Sequence, residues 1–415
     1  EFGSDLNEQQ FPVDLPTTLR LAGANSLQIA VAYQKVLAAR ARLQGATALW
    51  LPSLEGGLGY NLHSGRIQDT FGDVIDVNRS SAFAGGGPNL GSAPLTGASN
   101  GPARLFIGLP LTNAIFERLS ERQRVRAAGA HQAATFNDTL LVASVGYLDL
   151  MRSQVQVAIA SEAVTNAQEL ARVVEVRARG GTAPPADELR ARAELADRQR
   201  RVFARWEGVR DASANLVRVL NLEGGTNLFA AETQPIMIDL VDLDLPLPEL
   251  IAIGLVARPE MAQHQAQVAA TLERLRQEQW RPVLPNLQVG FSGGGFGGGR
   301  DGFFGDFSSR GDFDALAVWE LRNLGFGNAA LVRERRSEHE QARLSVGEVR
   351  NVVAAEIVRS YYQARLRREQ VQAALRQMQA ASEGLPLNFK GILGGQLRAI
   401  EGLQAVDALT AAQSQ

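Results

Sequence analysis

Leu51-Pro52-Ser53-Leu54 and Leu284-Pro285-Asn286-Leu287 are two copies of one short signal, and the rest of the chain is laid out around them. In each copy a proline closes a long helical pattern, because it has no N–H to donate and pushes the preceding residue towards extended backbone. A run that alternates apolar with small or polar residues then begins. After the first copy, Leu54, Leu58, Tyr60 and Leu62 fall on one face, against Ser53, Glu55, Gly57, Gly59 and Asn61. After the second, Leu287, Val289 and Phe291 oppose Asn286, Gln288, Gly290 and Ser292. A period of two marks a strand whose two faces meet different surroundings. Leu51 and Leu284 stand 233 residues apart, and the same offset pairs Ala24-Asn25 with Ala257-Arg258 and Gln34 with Gln267. The order helix, strand, loop, strand, long helix is therefore used twice, in a mixed but mainly α chain.

The first repeat is expected over residues 1–222. An extended lead-in precedes a helix that Thr17 or Thr18 can cap, running to about Leu49. Strands are expected over about 53–62 and 103–112, separated by a Gly-, Ser-, Asn- and Pro-rich loop from Ser64 to Pro102. A helical pattern free of proline then runs from about Ala114 to Arg179, far past the ~25 residues at which uncapped patterns suggest coiled coil. Gly180-Gly181-Thr182-Ala183-Pro184-Pro185 breaks it, and Asp187 can cap a restart through about Leu220. Residues 223–247 read as a linker, where Ile236, Ile238, Leu240, Val241 and Leu243 suggest a short strand or turn beside the helices.

The second repeat, 248–415, brings a helix to Arg281, strands over about 286–293 and 312–321, and a Gly/Phe loop between them. Its long helix starts near Asn328 and breaks at Gly394-Gly395, 214 residues after Gly180-Gly181, the offset that also pairs Tyr147 with Tyr361. One tip is thus expected near 180–187 and another near 394–401. The last helix is expected to be cut short, since Gln415 comes well before the length its counterpart reaches.

Formal net charge is −2 over 415 residues, which gives no electrostatic case for nucleic acid as a partner. There is no cysteine, so disulfides, thiolate metal sites and a cysteine nucleophile are excluded. No apolar run approaches the ~18 residues of a spanning helix. Gly290-Phe291-Ser292-Gly293-Gly294 spells G-x-S-x-G, but that chemistry needs a strand-to-helix turn with a positioned His and acid, and a glycine-rich loop follows here. Gly293, Gly295 and Gly298 fit G-x-G-x-x-G without a helix N-terminus behind them to hold phosphate. His63, His131, His264 and His339 lie on separate elements without ligand spacing, so neither a metal nor a cofactor is expected. Arg190, Arg192, Arg198, Arg200, Arg201 and Arg205, interleaved with Glu188, Glu194 and Asp197, read as a solvated helix face. Phe296, Phe303, Phe304, Phe307 and Phe313 can form a mobile lid or pin a loop to a rim, and we expect the pin.

Two strands per repeat make four, with one apolar face. Four strands cannot close on themselves, and open edges are not tolerated in lipid. Three copies would supply twelve, enough for a closed barrel. Trp50, Trp280 and Trp319 lie near strand ends, where indoles favour a membrane interface and can equally cap a packed core.

This pattern resembles the TolC family of bacterial outer-membrane efflux proteins. The resemblance is carried by Ala24-Asn25 with Leu51-Pro52-Ser53-Leu54, and by Ala257-Arg258-Pro259-Glu260 with Leu284-Pro285-Asn286-Leu287. Gly181-Thr182, Asp187-Glu188-Leu189-Arg190-Ala191 and Leu195 add the pattern of a tip. It implies a homotrimer whose 12-stranded barrel in the outer membrane continues into a long periplasmic α-helical barrel. It implies a passive exit duct for tripartite efflux or type I secretion, not an enzyme, working with a periplasmic adaptor and an inner-membrane pump. By the same resemblance Gly180, Gly181, Thr182, Asp187, Gly394, Gly395 and Arg398 would contact the adaptor. Leu51, Pro52, Leu284 and Pro285 would be helix-to-strand hinges, and Leu54, Leu58, Tyr60, Leu287 and Val289 would face outer-membrane lipid. The second tip departs from the family in carrying Glu401 in place of the expected Ser and Asp, and Asp314, Leu316 and Val318 alternate poorly. The rival reading, a soluble coiled-coil scaffold, accounts for the long helices and leaves the strands unexplained.

Overall fold

The computed structural model describes residues 10–90, 106–232, 240–300 and 305–415. The chain opens with β1 (Gln10–Val13), α1 (Leu15–Asn25) and α2 (Leu27–Ala48), then β2 (Pro52–Gln68), β3 (Val74–Leu90) and β4 (Phe106–Pro110). Two long helices, α3 (Leu111–Arg179) and α4 (Pro185–Leu220), lead to β5 (Asn227–Ala230). A second round follows: α5 (Leu247–Ala257), α6 (Pro259–Trp280), β6 (Asn286–Gly299), β7 (Ser308–Val318), α7 (Phe326–Leu393) and α8 (Ala399–Ser414). The fold is mainly helical, with a minority of strands, as the sequence pattern implied.

Local chemistry explains most of the boundaries. Asp14, not Thr17 or Thr18, caps α1: its carboxylate accepts the Thr17 N–H at 2.8 Å, and hydrogen bonding from the Thr17 side chain, then from that N–H, holds its carboxyl below the usual range. Where the pattern predicts one helix to Leu49, there are two. Ser26 turns extended and accepts the Ile29 N–H on its hydroxyl at 3.4 Å, starting α2. Arg258, extended before Pro259, makes the same break between α5 and α6. The repeated Ala24-Asn25 and Ala257-Arg258 therefore mark a helix break that periodicity alone did not register.

Two compact units divide the chain: Glu1–Ala32, Gln132–Arg258 and Asn351–Gln415 form one, Tyr33–His131 and Pro259–Arg350 the other. In the first, β1 and β5 pair in parallel from Gln10↔Asn227 to Val13↔Ala230. Tyr147, Leu150, Leu216 and Leu220 are fully buried in one cluster with Leu228 of β5, each such side chain contributing about 1.5–3 kcal/mol. The lead-in is thus a strand from Gln10 onward. Of the linker run, Ile236 and Ile238 lie outside the described residues, and β5 is the strand observed there.

The second unit holds an antiparallel sheet in the order β2, β3, β6, with β4 and β7 also on β6. β3 pairs with Gly293–Gly299 of β6 and β4 with Asn286–Gly290, so the two lie in succession along one edge; β7 takes the other. The sheet is therefore four strands wide. The expected loop from Ser64 to Pro102 is overturned from Ser64 to Leu90, for β2 and β3 form a hairpin paired from Pro52↔Leu90 to Gln68↔Val74. Its turn is closed by Asp69, whose carboxylate accepts the Phe71 and Asp73 N–H groups at 2.9 Å. Residues 91–105, including the start of the expected return strand, lie outside the described residues. The Gly/Phe loop is shorter than expected, because β6 extends to Gly299 and β7 begins at Ser308.

Candidate functional site

In the first unit, the ends of α3 and α7 close in the same way. Gly180 N–H donates to Val176 O (3.0 Å), Gly181 to Ala178 O (3.1 Å) and Thr182 to Arg177 O (2.9 Å). Gly394 donates to Lys390 O (2.9 Å), Gly395 to Ile392 O (3.1 Å) and Gln396 to Gly391 O (2.9 Å). Gly181 and Gly395 carry φ of 68° and 77°, the left-handed conformation that ends a helix and that glycine adopts without a Cβ penalty. Beneath the turns Leu170, Val173, Val174, Ala191, Ile392 and Ala399 form one buried cluster, drawn from α3, α4, α7 and α8. A Cβ added to Gly402 would sit 2.6 Å from Ile392 and 2.9 Å from Leu170, so α8 approaches on a bare backbone.

The two restarts differ. Asp187 does not cap α4; the N-cap is Pro184, which has no N–H to offer a carboxylate, and Asp187 pairs instead with Arg190 at 3.3 Å. At the second restart Arg398 does have an N–H, and it donates to Glu401. Glu401 thus serves the position where the family pattern led us to expect Ser and Asp. The arginine-rich stretch of α4 is solvated, with one exception. Arg198 is only 3% exposed and reaches Glu194 at 3.0 Å and Asp407 of α8. Arg177, which the sequence reading passed over, joins the two turns: it donates to Ile392 O at 2.8 Å and to Thr182 O at 3.0 Å. The available signal was a basic residue in the last turn of a helix, where it meets the negative end of the dipole.

In the second unit, the register puts Leu58 opposite Ala84, Ala84 opposite Gly295, Val289 opposite Ala315 and Leu287 opposite Ala317. Paired residues share a face, so Leu58, Tyr60, Leu287 and Val289 lie on one side of the sheet. On that side Leu58, Tyr60 and Leu62 are 86%, 53% and 65% exposed. Leu54 pairs with Pro88. The apolar row of β7 is Phe313, Ala315 and Ala317, while Asp314 pairs with Gly290. Phe307 lies over Gly295 and Gly297, where an added Cβ would come within 2.2 Å of its ring. Phe296 carries the Arg310 guanidinium over its ring at 5.2 Å. These two aromatics pin the sheet; Phe303 and Phe304 lie outside the described residues.

At the hinges, the Leu51 N–H donates to Ala48 O (2.8 Å) and the Leu284 N–H to Trp280 O (2.9 Å), so each helix closes on the residue before its proline. Trp50 donates its indole N–H to Ala114 O and Trp319 to Val283 O, both at 3.1 Å. Each indole buckles the hinge to a neighbouring segment. Among the described residues, no group of three His, Cys, Asp or Glu side chains is placed to hold a metal ion.

The architecture can be matched to solved structures. The chain superposes on the outer-membrane channel OprN with a TM-score of 0.77 at 17% identity, covering 96% of this chain and 85% of that one. CusC, described in terms of folding and transmembrane channel formation, gives 0.77 at 17% identity, covering 99% and 90%. The outer-membrane protein VceC of Vibrio cholerae gives 0.74 at 13%, covering 96% and 90%. The chain has the TolC fold. No protein-family model and no curated protein sequence matches the chain, so the TolC fold is shown by shape at low identity.

Proposed function

We propose that the chain is a subunit of a passive exit duct in the outer membrane of a Gram-negative-type bacterium, with three copies closing a single β-barrel. The observation that carries this is the sheet. Among the described residues β2 pairs only with β3 and β7 only with β6, so both outer edges are open. One face bears exposed Leu58, Tyr60 and Leu62. Open edges beside an apolar face invite aggregation in water, and in lipid every backbone group must find a partner. Closure by three copies satisfies both, giving twelve strands with Leu54, Leu58, Tyr60, Leu287 and Val289 towards lipid. OprN is described as an outer-membrane channel and VceC as an outer-membrane protein, which supports the location and a role without catalysis.

Within this reading residues 1–222 and 248–415 are two structural repeats joined by 223–247. The turns at Gly180-Gly181-Thr182 and Gly394-Gly395, with Asp187 and Arg398, meet a periplasmic adaptor, and an inner-membrane pump supplies the energy. The duct serves tripartite efflux or type I secretion. Reconstitution tests the core of the proposal: the chain, extracted in detergent and added to a planar bilayer, should give stepwise ion conductance. Recovery as a water-soluble protein with no conductance overturns it.

A further inference from the structure

One side chain ties the two turns together. Arg177, half-buried in the last turn of α3, donates from Nη1 to Ile392 O (2.8 Å) and Leu397 O (3.5 Å), and from Nη2 to Thr182 O (3.0 Å). Ile392 belongs to the last turn of α7, Leu397 to the second loop and Thr182 to the first. Its neighbours are paired with carboxylates: Arg179 with Glu175, Arg190 with Asp187 and Arg192 with Glu188. The hydrogen-bond partners of Arg177 are instead main-chain carbonyls, on two separate loops and a helix end.

Physical chemistry favours this arrangement. The ends of α3 and α7 both present carbonyls without helical partners, and both carry the negative end of a helix dipole. A cation between them is favoured by each. A guanidinium offers five N–H donors in one rigid plane, which suits oxygens at fixed positions; an ammonium is a point charge without that geometry. The sequence position equivalent to Arg177 in the other turn is Gly391, where an added Cβ would fall 2.7 Å from Leu397. Only the first turn has room for the arm.

We propose that Arg177 is a positioning residue that sets the two turns as one composite surface, and that this composite, not either turn alone, is what a docking partner reads. The second half of the statement rests on the duct reading above. The chain has no cysteine, so Ala186→Cys and Gln396→Cys, both at exposed positions, can carry spin labels in the full assembled protein. Labelled protomers diluted into unlabelled protein report the distance within one chain. The parent should give a single narrow peak, Arg177→Met should lose it, and Arg177→Lys should recover it only in part. Arg190→Met, an equal loss of charge in the same region, should keep the peak. A peak retained in Arg177→Met overturns the inference, as does equal broadening in Arg190→Met; should the Met variant fail to assemble, Arg177→Lys with a peak identical to the parent's does the same. Dye export in an efflux-deficient host separates the two readings. Export lost by Arg177→Met along with the peak supports the link to docking, and export intact after the peak is lost overturns that link. A parent that exports no dye counts against the duct reading and leaves the label distances to decide the clamp.

Discussion

Tyr147 is fully buried, and its hydroxyl donates to Glu232 Oε2 at 2.9 Å. Burial, reinforced by that carboxylate, pushes the phenol up to about 12, above the ~10 of a free tyrosine. The raised value fixes the sign. Stability held by the protonated phenol is complete below pH ~10 and is lost as pH rises through the folded value. Tyr147→Phe should cost about 1 kcal/mol at neutral pH, because Glu232 is only half-buried and water can take the place of the hydroxyl. Stability measured across the tyrosine range, from about pH 8 to about pH 12, should fall more steeply in the parent than in the variant; parallel curves would sink this account. Gly181 gives a second residue-level outcome. At φ 68° a β-branched side chain costs at least about 1–2 kcal/mol. Gly181→Val should therefore abolish export in cells while assembly and membrane insertion survive. A variant that still restores export would reduce the turn to punctuation.

At the scale of the element, the strands make the sharpest claim. β2 and β3 are paired over their whole lengths, so a substitution on one face leaves the ladder intact and reads only what that face touches. Leu58→Arg should cost about 2–4 kcal/mol near mid-membrane, whereas Asn61→Arg on the other face should be much milder. Refolding titrations into lipid vesicles measure both. Equal costs would mean that the face carrying Leu58 is not the lipid face. Phe307 over Gly295 and Gly297 illustrates why the glycine-rich β6 is a strand: one aromatic ring fills the space that two missing side chains leave.

For the whole molecule, the sheet formed by the described residues is four strands wide with two open edges, and in the proposed duct its size sets the assembly. In detergent the chain should run with the mass of three copies, and diluting the detergent should precipitate it. A monodisperse monomer without detergent, with its strands intact by circular dichroism, would count decisively against closure by three protomers. No helix among the described residues is long and apolar enough to cross a membrane. In the proposed duct the membrane segment is the strands, closed into a barrel that would satisfy every backbone group between neighbours.

The punctuation of this chain is written in its residues. Leu51-Pro52, Leu284-Pro285, Gly180-Gly181 and Gly394-Gly395 act through a missing N–H or a permitted positive φ, which are properties of one residue and its neighbours. Offsets between the copies were legible for the same reason. Three other features exist only because the folded chain brings distant groups together. β3 is made a strand by its ladder to β2, since Ser80, Ser81, Gly85 and Gly86 carry no one-sided pattern of their own. Arg198 leaves the solvated face because Asp407, 209 positions later, comes to meet it. Arg177 finds Ile392 O, 215 positions away, and nothing in the residues around it names that partner. Each depends on which distant group the fold brings within reach, and periodicity carries no record of that.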